Sequence, residues 1–386
     1  MLTDEQIMIR DMARDFARER IAPQAAQWDR DKIFPTDVLR ELGELGLYGM
    51  LIPQQWGGAA TDTVSFVLAI EEIAAADAAC STILCVNNSL VCNSLLNYAS
   101  DALKQRYLIP LASGAKLGCF CLTEAQAGSD ASALQTRAQK RGDEYILSGS
   151  KQFVTSGKNA QIALVFAVTD AAAGKHGISA FIVPTDTPGY EVSKVEHKMG
   201  LNASDTVSIN FNDCRIPTDH LLGAQGEGYR IALSNLQEGR IGIAAQSVGM
   251  ARAAYEVALQ YAQQRETFGQ PIMRHQAVAF RLADMATQIS AAHLMVLHAA
   301  ELKDQGQRCL QQACMAKLFA SEMAEKVCSD AIQVLGGYGY LNDFPLEKIY
   351  RDVRVTQIYE GTSDIQRMVI AREIAHEIVH NTAYAP

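Results

Sequence analysis

The 386-residue chain is poor in positive charge, in tryptophan and in metal-ligand clusters. Lys and Arg number 34 against 43 Asp and Glu, a formal net charge of -9. No Lys/Arg-rich block stands out, so the electrostatic footprint of a nucleic-acid-binding chain is missing. The eight histidines read as scattered, with no H-E-x-x-H and no Cys/His cluster at zinc spacing, so no metal site is expected. No G-x-G-x-x-G follows a strand-like run, which argues against a Rossmann dinucleotide site. The start, Met1-Leu2-Thr3-Asp4-Glu5, is not a signal peptide, and no apolar run is read as reaching membrane-spanning length. A cytoplasmic location is expected, or the mitochondrial matrix for a processed form. Nine cysteines, mostly in apolar or Ala-rich settings such as Cys80, Cys85, Cys92, Cys314 and Cys328, read as buried thiols in a reducing compartment. Cys119 and Cys121, one residue apart in a strand-like run, read as strand alternation and not as a redox or metal pair.

What is present is 48% apolar and 20% charged, ordinary for a globular protein, at a length that suits two or three domains. Residues 1–117 read as helices. Thr3 and Gln6 form a capping box before Ile7, Ile9, Met12, Phe16 and Ile21, and Pro23 ends or bends that helix. A second helix opens at Thr36 with Val38, Leu39, Leu42 and Leu45 inward, and a third runs through Phe66, Leu68, Ile70 and Ile73. The uncharged segment from Cys80 to Tyr98 reads as a buried helix whose small polar residues, Asn87, Asn88, Ser89 and Asn93, face a cavity. Residues 118–222 change to short strand-like runs at Leu117 to Leu122, Tyr145 to Leu147, Ile162 to Val168, Ile178 to Val183, Tyr190 to Val195 and Val207 to Phe211, bounded by Gly, Asp, Asn and Pro, a small antiparallel barrel or sandwich. Residues 223–386 return to long Ala-rich helices over 228–264, 276–305 and 311–335. A last helix follows Ser363, completing a four-helix bundle. The class is α+β, mostly α.

The chemistry centres on Gln357-Ile358-Tyr359-Glu360-Gly361-Thr362-Ser363-Asp364. Ser363 and Gln366 read as an S-x-x-Q capping box, and Ile370, Ile374 and Ile378 recur at helical spacing. Glu360 therefore sits on a loop feeding a helix N-terminus, where free N–H groups and the helix dipole meet. A carboxylate there can act as a base beside donors for a developing oxyanion. Two further stretches suit a flat heterocycle with polar edges. The loop Cys121 to Asp130 carries small hydrogen-bonding side chains, and Lys151 to Gly157 puts an aromatic ring and a hydroxyl two residues apart, on one face of a strand.

Together these motifs resemble the acyl-CoA dehydrogenase family over essentially the whole chain. They are L-T-E-x-x-A-G-S-D at Leu122 to Asp130, Q-R-x-x-F-G at Gln264 to Gly269, L-G-G-Y-G-Y at Leu335 to Tyr340, and Y-E-G-T-S at Tyr359 to Ser363. The chain is most similar to the short-chain and short-branched-chain members.

The resemblance implies FAD-dependent α,β-dehydrogenation of an acyl-CoA thioester. Glu360 matches the base that removes the α-proton, the β-hydrogen leaving as hydride to flavin N5. The Glu360 N–H and a ribityl hydroxyl would hold the thioester carbonyl, and an apolar acyl chain should raise the Glu360 pKa. Phe120, Leu122, Thr123, Gly128 and Ser129, with Phe153, Val154 and Thr155, match flavin-contacting positions. Arg265, Phe268 and Gln276, with Gln333, Val334, Gly336 and Gly337, match positions that hold the FAD pyrophosphate and adenosine of a neighbouring subunit. Thr362 and Asp364 match further cofactor contacts. Ser129, Tyr229, Arg240, Tyr359 and Gly361 match substrate contacts. A homo-oligomer, usually a tetramer, and an electron-transfer flavoprotein as acceptor are implied.

Two departures stand out. Phe153 replaces the Trp of many members. Gly239 stands where a few members carry the base, so Glu360 is favoured over its neighbour Glu238. No Lys or Arg occurs between Asp62 and Leu103, so no cation awaits a dicarboxylic acyl group. A short straight or methyl-branched C4–C5 acyl group is expected. The alternatives are an oxidase or enoyl-CoA reductase on the same fold. A flavin-bearing nucleic-acid-binding relative would need a basic extension, which the acidic balance speaks against.

Overall fold

The computed structural model of the chain describes residues 2–382. Helix α1 (Asp4–Phe16) starts as the sequence predicts: Thr3 Oγ1 accepts the Gln6 N–H, and Gln6 Oε1 accepts the Thr3 N–H. Pro23 does not end the helical run. A π-turn over Ala17–Ile21 takes up an extra residue, which leaves Pro23 in the first turn of α2 (Ala22–Asp31), where its missing N–H costs little. In α3 (Thr36–Glu44) Val38, Leu39 and Leu42 are buried, but Leu45 is the C-cap and lies exposed. Asp62 caps α4 (Thr63–Ala76) and Asp77 caps α5 (Ala78–Cys85).

From α5 the chain continues through a π-turn, Val86–Cys92, into α6 (Asn93–Tyr98); α7 (Asp101–Leu103) and α8 (Ile109–Ala112) close the N-terminal helices. The expectation of no membrane-length apolar run is corrected here. Ala78–Tyr98 is 21 residues long with a mean hydropathy of 1.3, yet 94% of that window is buried in the chain's own core. It is a helix that is apolar on all sides because protein surrounds it. Its polar side chains are also corrected. Asn87 Nδ2 donates to the Tyr48 and Leu111 carbonyls, and Asn88 Nδ2 donates to those of Leu47 and Leu84. Asn88 Oδ1 accepts the Met50 N–H, and Asn93 Nδ2 donates to Asn235. Asn87 and Asn88 satisfy buried backbone of adjoining segments, and Asn93 satisfies a buried amide on α9. Of the four residues Asn87, Asn88, Ser89 and Asn93, Ser89 alone has a buried polar atom without a partner.

The strands are β1 (Gly118–Cys121), β2 (Arg137–Arg141), β3 (Glu144–Thr155), β4 (Ile162–Val168), β5 (Ile178–Pro184), β6 (Tyr190–Val195), β7 (Thr206–Pro217) and β8 (Leu221–Leu222). They pair in the order β6-β7-β3-β2-β4-β5-β8. Most pairs are antiparallel, but β1 runs parallel to β4, so the sheet is mixed. Cys119 and Cys121 share one face of β1 with their sulfurs 3.8 Å apart, and all nine cysteines are free and buried.

The C-terminal helices are α9 (Gly228–Gln264), α10 (Gln276–Asp304), α11 (Leu310–Leu335), α12 (Leu346–Val353) and α13 (Ser363–Thr382), with a small hairpin of β9 (Glu266–Thr267) and β10 (Gln270–Pro271) after α9. Alanines on the facing sides of α9 and α11, such as Ala244, Ala251, Ala316 and Ala320, are fully buried and let the two backbones approach closely. On α13, Ile374 is exposed, and Ile378 lies among residues whose side chains are outside the described set. One buried lysine ties the parts together. Lys348 Nζ lies 2.9 Å from Asp77 and 2.7 Å from Asp352, and Asp352 also accepts the Leu201 N–H from the β domain. The two carboxylates hold the Lys348 pKa well above its ordinary value despite burial.

Candidate active site

After a short 3₁₀ turn at Arg354–Gln357 the chain meets α13 through two consecutive residues in the left-handed region, Glu360 at φ 55° and Gly361 at φ 87°. Glycine adopts this freely, whereas for glutamate it costs on the order of 1 kcal/mol and must be enforced by surroundings. Three contacts enforce it. Thr362 is the N-cap, its Oγ1 accepting the Ile365 N–H at 3.3 Å. Gln366 Nε2 donates to the carbonyls of Glu360 (3.2 Å) and Gly361 (2.8 Å). Lys317 Nζ, from α11, donates to the Gly361 carbonyl at 2.8 Å. The cap is thus one residue earlier than the predicted Ser363, whose hydroxyl is buried without a partner, and Gln366 braces the loop instead of closing a capping box.

The Glu360 residue is partly accessible, but its carboxylate oxygen Oε2 is buried and accepts no hydrogen bond. It lies directly over Gly239 on α9. A Cβ at Gly239 would fall 2.0 Å from that oxygen, so the glycine makes the space that the carboxylate occupies. Glu238 points elsewhere, in an ion pair with Lys303 at 2.8 Å. Burial pushes the Glu360 pKa up from 4.5 to about 7, opposed by the charges of Lys317 and Arg240. Among the described residues no partner engages the Glu360 backbone N–H. The site therefore holds a carboxylate able to take a proton near neutrality beside an uncommitted donor. Arg240 is almost fully buried, with its Nε unpartnered. The Tyr359 hydroxyl donates to Gln246 Oε1, whose amide nitrogen sits among the Ala78 carbonyl and the Ser81 and Thr82 hydroxyls; Tyr359 is thereby fixed against α9 and α5.

On the β domain, the Leu122–Asp130 loop is pinned to β3. Gln152 N–H donates to the Thr123 carbonyl, and the fully buried Lys151 Nζ donates to the Leu122 carbonyl and to Glu124 at 2.7 Å. Glu124 also accepts the Gln135 and Thr136 N–H groups. Burial pushes the Glu124 pKa up, but Lys151 and these donors outweigh it and leave it below the usual value. Glu124→Ala leaves a buried, uncompensated ammonium, so a loss of about 3–5 kcal/mol in denaturant unfolding is expected, with weakened cofactor retention. A loss under about 1 kcal/mol would mean the pair does not hold the loop.

The predicted positions around this loop fare differently. Gly128 and Ser129 are exposed, and nothing lies within 4 Å of a Cβ at Gly128. Leu122 is buried, Thr123 and Thr155 are half-buried, and Phe120 packs on Phe166 with ring centroids 4.9 Å apart. Val154 is in the core and has only its backbone to offer. The register slips between Lys151 and Val154, and Phe153 takes φ 58°, so strand alternation fails there. The slip frees the ring, which is 60% exposed.

The second predicted group meets at the far end of α9. Arg265, Val334, Gly336 and Gly337 line an open groove of about 600 Å³ with Tyr261 and Tyr338. No atom lies within 4 Å of a Cβ at Gly336 or Gly337, and no carboxylate pairs with Arg265 among the described residues. Phe268, in the hairpin, is 96% exposed. Gln276 and Gln333 are exposed nearby, at the first position of α10 and the end of α11. A free guanidinium beside two open glycines suits a phosphate, and an uncovered ring on β3 suits a flat heterocycle, so the donor set fits a flavin dinucleotide. Tyr229 is half-buried in the first turn of α9, whereas Asp364 is exposed and faces only Arg367, at 3.6 Å.

Sequence reasoning missed Lys317 and Gln366 as braces of the loop. A signal for Lys317 existed: it falls on the buried stripe of Ala313, Ala316, Ala320 and Ala324, where a cation is out of place. The expectation about metal motifs needs a correction from the sequence itself. His376-Glu377-Ile378-Val379-His380 has H-E-x-x-H spacing, at the end of α13 where side chains beyond His376 are outside the described residues. Among the residues that are described, no cluster of three or more ligand-type side chains occurs.

Family models match in sequence order: the acyl-CoA dehydrogenase N-terminal domain over residues 3–115, the middle domain over 119–214 and the C-terminal domain over 226–375. An acyl-CoA dehydrogenase of Bacillus subtilis is 48% identical over 96% of this chain and 98% of its own length. A mitochondrial short-chain specific acyl-CoA dehydrogenase of Mus musculus is 45% identical over 96% and 90%. The solved butyryl-CoA dehydrogenase of Megasphaera elsdenii superposes with a TM-score of 0.96 at 41% identity, over 97% and 99% of the two chains.

Proposed function

The chain belongs to the acyl-CoA dehydrogenase family, an FAD-dependent oxidoreductase family, and from that premise we propose that it desaturates a short straight or methyl-branched acyl-CoA at Cα–Cβ, with Glu360 as the base. The observation that carries this reading is the carboxylate of Glu360, buried over Gly239 and raised to about 7. A thioester α-C–H is a weak acid, so its base must hold a proton well while still being ionised at working pH. Burial does the first, and Lys317 and Arg240 oppose it enough to permit the second. The Glu360 N–H, which no described residue engages, would donate to a thioester oxygen as negative charge develops there. Bound FAD supplies the acceptor for the β-hydride. The chain's part is to orient the acyl group, exclude water and take the proton at the Glu360 carboxylate.

The short acyl preference rests on two supports. No Lys or Arg lies between Asp62 and Leu103, and α5 with its π-turn is packed solid beside the site. The mouse and M. elsdenii relatives carry short-chain names. An electron-transfer flavoprotein as acceptor and a homo-oligomer complete the proposal. A phenylalanine as uncovered as Phe268, beside an open groove, is a surface that a second copy would cover. The cytoplasm is the compartment we propose, since all nine buried thiols are unpaired.

An anaerobic titration of the purified protein with a panel of acyl-CoAs tests the reading. Butyryl-, isobutyryl- or 2-methylbutyryl-CoA is expected to bleach the flavin absorbance, with long-chain and glutaryl thioesters doing so poorly. Preferential bleaching by either of the latter would overturn the substrate assignment. Turnover with O₂ as sole acceptor would overturn the flavoprotein partner.

A further inference from the structure

Lys317 is an expensive residue where it stands. Its side chain is fully buried on α11, and among the described residues it has no carboxylate within 4 Å and its ammonium makes a single hydrogen bond, to the Gly361 carbonyl at 2.8 Å. An ammonium has three donors to satisfy and a large desolvation cost, so one carbonyl does not account for it. A methionine would fill the same volume at less cost to the fold. What the position does offer is proximity to the base. The carbonyl it grips belongs to the residue after Glu360, in the left-handed turn that aims the carboxylate over Gly239.

We propose that Lys317 is the positioning residue of the base: it clamps the Glu360–Gly361 turn through the Gly361 carbonyl and supplies the positive charge that the buried carboxylate faces. The inference rests on Glu360 being the base and adds the group that sets its geometry and its ionisation. The other groups around Glu360 do not fill this role. From α5 comes the Cys85 thiol, pushed well above its ordinary pKa by burial and hence neutral. The adjacent Tyr359 phenol is likewise raised by burial and neutral. From α11, Cys314 lies near Lys317 and Arg240 and is raised by its own burial. From α9 comes Arg240, a second cation, which makes no hydrogen bond to the turn. Burial lowers the Lys317 pKa to about 8, and Glu360 works against that fall, as each of an opposed pair should for the other.

Replacing Lys317 by methionine removes an opposing charge, so the carboxyl of Glu360 must hold its proton to higher pH. The acidic limb of the kcat–pH profile is expected to move upward by about one pH unit or more, and Lys317→Arg to return most of that shift. A readout independent of turnover is the infrared band of the protonated Glu360 carboxyl, assigned by its loss in Glu360→Gln and titrated in each variant. The band and the limb should move together in Lys317→Met. Lys317→Gln, which keeps a donor for the Gly361 carbonyl without the charge, should shift the titration while retaining more of kcat. Unchanged titration in both neutral variants, folded and with FAD bound, would overturn the inference and leave the base untouched. Absence of any Glu360 band near neutral pH in the wild type, or an active Glu360→Gln, would overturn the reading beneath it instead.

Discussion

Glu360→Gln is expected to fold, bind FAD and bind acyl-CoA, yet lose turnover by several orders of magnitude. The amide keeps the shape of the side chain and has no lone pair basic enough to take an α-proton. A second consequence separates this loss from damage to the fold. The folded chain holds the Glu360 proton more tightly than the unfolded chain, its pKa rising from 4.5 to about 7. The stability contributed by that preference is present below pH 4.5 and is lost as pH climbs through about 7, a penalty on the order of 3 kcal/mol. Glutamine never carries the charge. The variant should therefore unfold at a higher temperature than the wild type above pH 7 while being inactive, measured by calorimetry beside kcat. Near-normal activity would dismiss Glu360 as the base.

Gly239→Ala is expected to damage the same step from the opposite side, to a smaller extent. The new methyl carbon would sit 2.0 Å from Oε2, 2.8 Å from Cδ and 3.2 Å from Oε1 of Glu360. The first two are closer than real Cβ contacts come, so the carboxylate must swing away. A displacement of about 1 Å in a reacting group costs roughly 10²-fold in rate. Alanine is also the better helix former, by about 1 kcal/mol in an exposed helix interior. The signature is thus a fall of about 10²-fold in kcat without a matching fall in thermal stability. Activity within a few-fold of wild type would show that the carboxylate does not rest against α9 during turnover.

Much of the architecture could be read before any coordinates because its signals are local. The start of α1 is set by Thr3 and Gln6, three residues apart, and the Ala-rich helices appear within a residue or so of their expected limits. The misreadings have non-local causes. β2 is a polar run whose only buried residue is Ala138, and it becomes a strand by pairing with β3. Pro23 reads as a helix breaker, but the remedy lies in the preceding π-turn, which no composition rule announces. Asn87 and Asn88 looked like a cavity lining, and their partners are loop carbonyls about forty positions away, such as Tyr48 and Leu47. At the site, Glu360 was legible as a loop carboxylate next to a glycine. That Gly239 hollows out its berth and Lys317 grips its neighbour depends on the crossing of α9 and α11 against α13, which only the assembled bundle sets.

The buried cluster around Lys348 bears on the order in which the chain can fold. Asp77 is sealed inside the N-terminal helices, Leu201 belongs to the β domain, and their respective partners, Lys348 and Asp352, are paired with each other near the end of the chain. As the polypeptide leaves the ribosome, the first two domains are complete while the ammonium that neutralises Asp77 is still to be made. A carboxylate cannot be closed into an apolar core unpaired without a heavy cost. The N-terminal helices must therefore stay open around Asp77, or hold water there, until α12 has been synthesised. Final closure of all three regions is then one late event of high contact order.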